Sequence, residues 1–217
     1  MWGEADIDAL ALIGLASSVS LLSGWRLYLC IFATGLAMRT GWVALPEHLH
    51  GLAILANPWV IGVAAIGLVA EFFADKILWL DSIWDGIHTL VRPVGGALLA
   101  MAIVDPQDPA WQIVSLLLGG SAALLTHGAK AGTRAVVNTS PEPVSNVAVS
   151  LVEDTATGTL LLFSLYNPAI AIIVALFLAV AAIATLLLLR RIWRRMRAIS
   201  SGVPGGGKEP PQPIGGS

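Results

Sequence analysis

Apolar residues run through this chain in long blocks, each closed by a charge, a proline or a glycine. Ala9–Trp25 is free of charge, Arg26 intervenes, and Leu27–Met38 is apolar again. Gly51–Ala70 continues the pattern through Phe72 and Phe73. Pro93–Val104 is short unless it extends backward through Ile83–Leu90, and Pro109–Thr126 follows. Pro143–Val152 is interrupted by Glu153 and Asp154 and resumes to Tyr166, and Pro168–Leu189 closes the series. A helix crossing a hydrocarbon core of about 30 Å needs about 20 mostly apolar residues, and these blocks have that length. Thr155–Leu189 contains no acidic or basic side chain; as one helix it would extend about 52 Å, too long for a single crossing. Asn167-Pro168 is the natural break, because proline disfavours helix in the residue before it and suits the first turn of a new one. The pattern predicts an all-α polytopic membrane bundle of about six spans over residues 1–199. The Gly/Pro-rich residues 200–217 read as a disordered cytoplasmic tail.

Composition narrows the class further. Of 217 residues, 56% are hydrophobic and 12% charged, with a mean hydropathy of +0.80. That is about half the charge of an average soluble domain, so a polar globular surface cannot be built. The net charge of −2 leaves no broad basic face for nucleic acid. The single Cys30 excludes an intramolecular disulfide framework and a cysteine-based zinc site.

Arginines 190, 191, 194, 195 and 197 directly follow the last block, which predicts a cytoplasmic C-terminus. Counting back over six spans places the N-terminus inside as well, although Glu4, Asp6 and Asp8 precede the first block without a basic residue. Trp42, Trp59 and Trp111 then fall at outer ends, and Trp79, Trp84 and Trp193 at inner ends. The alternative for the first block is a hairpin broken at Ser23-Gly24, which would reverse the N-terminus alone. Two short correspondences, Gly24–Arg26 with Gly132–Arg134 and Leu68–Glu71 with Ser150–Glu153, fit a three-plus-three inverted repeat. Chance matching of short apolar strings, which occurs in any membrane protein, is the simpler explanation.

The candidate chemistry lies in the ionisable residues inside these blocks. Each costs about 2.5–3.5 kcal/mol by insertion scales, so such residues are usually paired or functional. Glu71 and Asp75 share one helical face, and Asp81, Asp85, His88 and Arg92 form a second stripe. His127, Lys130, Arg134 and Asn138 form a third. Arg26, Glu153 and Asp154 complete the set, and Asp81/Asp85 are expected to face Lys130/Arg134. Asp81, Asp85, His88 and His127 offer metal-ligand types, but no spacing is a ligand signature, and neither a metal nor a cofactor is expected. DSIWDG (81–86) lacks the second aspartate pair that membrane phosphotransferase motifs need, and no nucleophile arrangement or phosphate-cradling loop is present. An enzyme is the minority reading.

Several of these strings resemble a known family. They are GWRLYL (24–29), PWVIG (58–62), EFFADK (71–76), DSIWD (81–85), HTLVRP (88–93), HGAKAGTR (127–134) and NTSPEP (138–143) with Ser145-Asn146. Over roughly residues 10–195 the chain resembles the bacterial membrane proteins grouped as domain-of-unknown-function family 4126. The resemblance implies a multi-span protein of the bacterial inner membrane and no particular activity. Two functions fit these charges. The first is a small transporter, channel or lipid translocase that moves a small solute or lipid headgroup, expected to be anionic, with Arg26, Lys130 and Arg134 as its positive groups. The second is a scaffold whose charges only hold helices together or dock a partner. A homo-oligomer is compatible with either.

Overall fold

The computed structural model describes residues 9–42, 47–104, 109–137 and 143–201. All regular structure among them is helical: α1 (Ala9–Arg39), a 3-10 helix (Glu47–Ala56), α2 (Pro58–Ala74), α3 (Leu78–Val104), α4 (Pro109–Val137), α5 (Pro143–Tyr166) and α6 (Pro168–Ser201). Five of the helices are long and apolar enough to cross a membrane, and α2 is a shorter apolar one. The loop 105–108, Asn138 and residues 202–217, which include nearly all of the expected tail, lie outside the described residues.

Helix starts follow from local chemistry. Four of the helices have proline at their first position, where the missing N–H costs nothing. Asn57 Oδ1 accepts from the Trp59 N–H at 2.9 Å, and Asn167 Oδ1 accepts from the Ala169 N–H at 2.9 Å. Both asparagines thus satisfy donors that a helix start leaves orphaned. Pro93 is not a start. It sits inside the 27-residue α3, so the backward extension through Ile83–Leu90 is helix continuous with the rest.

The distribution of polarity is that of a protein dissolved in lipid. Large apolar side chains such as Val63, Phe73, Leu90, Leu117, Phe177 and Val180 point outward, while Ser18, Ser20, Ser23 and Thr126 are buried. With lipid tails as apolar as leucine, helices gain contact by close approach through small residues and by hydrogen bonds between helices. α3 and α4 do the first: a Cβ on Gly119 would stand 2.6 Å from the Gly96 carbonyl oxygen. α1 does the second: Ser20 Oγ donates to Gly96 O at 3.0 Å, and Thr126 Oγ1 donates to Leu21 O at 2.6 Å.

α1 is broken. Arg26 has φ −142° and ψ 75°, outside the helical region, and the helix resumes at Leu27. Contacts on either side of the break define the path. Gly14 packs on Ile172, near the start of α6. Gly35 packs on Leu55 and Ile61, while Gly51, four residues before Leu55, packs on Ala102 near the end of α3. A 3-10 helix rises about 2.0 Å per residue, so Gly51 and Leu55 are about 8 Å apart along it. A straight α1 would carry Gly35 far beyond that reach. The second half of α1 therefore returns toward the end of the bundle from which the first half came, and Arg26 marks the tip of a re-entrant hairpin. α2 then descends beside that second half, with Ile61 against Gly35 and Gly67 against Tyr28.

The first apolar block is thus the broken hairpin, with its break at Arg26, and the described chain begins and ends at opposite ends of the bundle. The count of six spans behind the expectation that both termini share one side treated α1 as straight, and residues 1–8 and 202–217 themselves lie outside the described residues. Of the two suggested internal correspondences, Glu71 and Glu153 lie on helices of opposite direction, as inversion requires. The segments ending at Arg26 and Arg134 run in the same direction. In a Cys30→Ser background, single cysteines at Thr40 and Asn167 are expected to react with an impermeant maleimide from one side of a sealed vesicle, and one at Arg197 from the other. A Thr40 cysteine that labels together with the Arg197 cysteine would show that α1 crosses.

Candidate functional site

The break in α1 and the end of α2 bring charge to one place inside the bundle. Arg26, Glu71, Asp75 and Arg92 have no exposed surface, and Lys130 and Arg134 are also buried. Arg26 is the hub. Its Nη1 bonds the Asp75 carboxylate and lies 3.8 Å from Glu71 Oε1. Its Nε is 2.8 Å from Asp154 Oδ1, and its Nη2 is 3.4 Å from Glu153 Oε2. Nη2 also donates to the Ser150 carbonyl at 3.2 Å and to its hydroxyl at 3.0 Å. One planar guanidinium thus ties α1 to the end of α2 and to α5, a use of five fixed donors that lysine could not copy.

The other cations share these carboxylates. Arg92 Nη2 is 2.5 Å from Glu71 Oε1, and Arg92 Nη1 is 3.4 Å from Asp85 Oδ1. Lys130 Nζ lies 3.6 Å from both Glu71 Oε1 and Asp75 Oδ1, and 3.8 Å from Glu153 Oε2. Arg134 Nη2 is 2.9 Å from Glu153 Oε2 and 3.6 Å from Asp75 Oδ2. Two of these cations also serve the broken backbone. Arg92 Nη1 donates to Gly24 O at 3.3 Å, and Lys130 Nζ donates to Trp25 O at 3.3 Å. Those carbonyls end the first half of α1, where the helix leaves acceptors unfilled and the macrodipole favours positive charge. The break and the charges therefore stabilise each other.

A histidine flanks each side of this network. His127 Nδ1 is 2.7 Å from Arg92 Nη1, and a guanidinium can only donate, so Nδ1 accepts. The ring proton then sits on Nε2, which donates to Thr89 Oγ1 at 3.0 Å, and the Thr89 hydroxyl donates in turn to Asp85 O at 2.9 Å. His88 Nδ1 faces the Trp84 carbonyl at 2.8 Å, and its Nε2 meets the Tyr28 hydroxyl at 3.1 Å. His88 also stacks on Trp84 at 4.4 Å.

Of the residues singled out from sequence, Arg26, Glu71, Asp75, Asp85, Arg92, His127, Lys130, Arg134, Glu153 and Asp154 meet in this one network. His88 adjoins it through Tyr28. Asp81 is buried and acts electrostatically on Arg134. The expected pairing of Asp81/Asp85 with Lys130/Arg134 is only partly what forms. Asp85 turns to Arg92 on its own helix, while Lys130 lies within 4 Å of Glu71, Asp75 and Glu153, and Arg134 within 4 Å of Asp75 and Glu153. Ser150, Tyr28 and Thr89 were missed. Ser150 was findable, since it lies three and four residues before Glu153 and Asp154 and so shares their face. Among the described residues no three His, Cys, Asp or Glu side chains gather as a metal site would require.

Helices with apolar outer faces enclosing a buried ionic network define an integral membrane protein of the polytopic helical class. The chain belongs to the family described as Domain of unknown function (DUF4126), whose model matches residues 13–187. No curated protein and no solved structure matches it.

Proposed function

We propose that this protein is a small transporter or lipid translocase of the bacterial cytoplasmic membrane, with the charge network at the tip of α1 as its working site. The observation that carries this reading is the broken helix: α1 stops at half depth, and its tip residue is held by carboxylates from two other helices. Discontinuous helices that end inside a bundle, with ionisable groups gathered at their tips, are the usual way membrane transporters build substrate and ion sites. Arg26 and Lys130 each face several carboxylates within 4 Å. A solute or proton can displace one such partner while the others still hold the cation. The arginines between 190 and 197 at the end of α6 favour a cytoplasmic place for that end, and with it an outward start for α1.

The sign of the solute changes from the sequence expectation. Arg26, Arg92, Lys130 and Arg134 are each matched by carboxylates, and Glu71, Asp75, Asp85, Glu153 and Asp154 outnumber them by one. A site with surplus carboxylate favours a proton or a cationic group over an anion.

The scaffold reading has one observation in its favour, that every cation of the network is paired. Liposomes decide between the two. Reconstituted protein is expected to accelerate either proton flux, followed with an entrapped pH-sensitive dye, or redistribution of fluorescent phospholipid between leaflets. Glu153→Gln and Arg134→Gln are expected to lower that rate at least 10-fold while thermal unfolding in detergent stays cooperative. If wild-type protein leaves both rates at those of empty liposomes, or if both variants match wild type, the scaffold reading replaces this one.

A further inference from the structure

One carboxylate of the network is not enclosed. The Asp154 side chain keeps a quarter of its surface exposed, and it faces a groove of about 500 Å³ whose other walls are Leu29, Leu68, Val69, Phe72 and Phe73. The groove lies between the second half of α1, α2 and α5. Val69 and Phe73, on its rim, are more than half exposed. The depth is set by Asp154 itself, whose Oδ1 is 2.8 Å from Arg26 Nε at the tip of the re-entrant hairpin. The groove therefore opens sideways, toward lipid tails, at the level of the buried charges.

A carboxylate facing hydrocarbon is costly unless something pairs it. Arg26 pairs with Oδ1, which is the one ion pair Asp154 makes among the described residues, and Oδ2 is left for another donor. Lys76 lies over Phe72, one of the groove's walls. Its Nζ lies 3.1 Å from the Phe72 ring centroid and donates to Phe72 O at 3.0 Å, leaving further ammonium protons for another acceptor. A groove with apolar walls, one open carboxylate oxygen and a neighbouring ammonium is complementary to a molecule with an acyl chain, a primary amine and a phosphate.

We propose that this groove binds a phospholipid with a primary-amine headgroup, its chain along Leu68, Val69 and Phe73, its amine on Asp154 Oδ2 and its phosphate beside Lys76. A primary amine donates hydrogen bonds to the open oxygen, whereas a choline headgroup has no N–H and a glycerol headgroup brings no positive charge. This names the substrate class for the transport reading and rests on that reading for movement; the binding step stands without it.

Native mass spectrometry and thermal unfolding in detergent, with added phosphatidylethanolamine, phosphatidylcholine or phosphatidylglycerol of matched chains, test the binding step. Phosphatidylethanolamine is expected to bind at least 10-fold more tightly than the other two and to raise the unfolding temperature most. Asp154→Asn is expected to erase that preference while the variant still unfolds cooperatively, since Arg26 retains Asp75 and Glu153. Val69→Trp, which fills the groove without touching a charge, is expected to weaken all three lipids. Equal binding of the three lipids by wild-type protein, or an unchanged preference in Asp154→Asn, overturns the proposal. Amine preference without any lipid redistribution in liposomes removes the transport reading and leaves this site standing. Redistribution without amine preference does the reverse.

Discussion

Arg26→Gln is expected to be the most damaging single charge removal in this protein. Arg26 contacts Glu71, Asp75, Glu153 and Asp154 together. Glutamine leaves their negative charge behind, and breaking a buried pair from one side costs about 3–5 kcal/mol, because the abandoned ion keeps its desolvation penalty. Neutralising a partner should restore much of this, so Arg26→Gln combined with Asp75→Asn is expected to be more stable than Arg26→Gln alone. Arg26→Lys is expected to fall between wild type and glutamine, since an ammonium keeps the charge but cannot span Asp75, Asp154 and Ser150 at once. Denaturation in detergent micelles measures all three. A loss below about 1 kcal/mol for Arg26→Gln would mean that water enters and screens the cluster, as at exposed ion pairs.

The unequal legibility of this structure in its sequence has a physical cause. Hydrophobic runs announce themselves over about 20 residues, so the apolar helices could be placed from the chain alone. So could the members of the charge network, because an ionisable residue inside such a run must find a partner. Which partner it finds is another matter. Depth was judged by counting along straight spans, and that rule fails where a helix stops inside the bundle. α2 ends at Ala74, which brings Glu71 and Asp75 to the level of Lys130 and Arg134 ahead of Asp81 and Asp85. The return of α1 is equally non-local. Ser23-Gly24 and Arg26 hint at a break, but its geometry is fixed by Arg92 on Gly24 O and Lys130 on Trp25 O, residues far away in sequence. Asn167-Pro168, at the start of α6, was the local signal that transferred most directly.

Gly24→Ala is expected to disturb the tip of α1 by sterics alone, with no change in charge. A Cβ at this position would stand 2.0 Å from Thr126 Oγ1 and 2.2 Å from the Ala123 carbonyl oxygen. The hydroxyl could rotate, but the carbonyl belongs to the backbone of α4, so α1 and α4 must move apart. Overpacking of this kind costs about 1–3 kcal/mol. Separation also pulls Lys130 away from Trp25 O and Thr126 away from Leu21 O, which are 3.3 and 2.6 Å apart in the native packing. The loss should therefore reach the upper part of that range, and transport should fall further than stability, because the hub arginine is two residues from the displaced glycine. Gly86→Ala is the matched control: nothing lies within 4 Å of its Cβ position, so it removes one helix glycine and meets no neighbour. It is expected to leave stability unchanged or raise it by up to about 1 kcal/mol. Thermal unfolding of the two variants side by side, with liposome flux for each, reads both effects. Equal behaviour of Gly24→Ala and Gly86→Ala would show that the tip of α1 is not held against α4 as closely as the native contacts require.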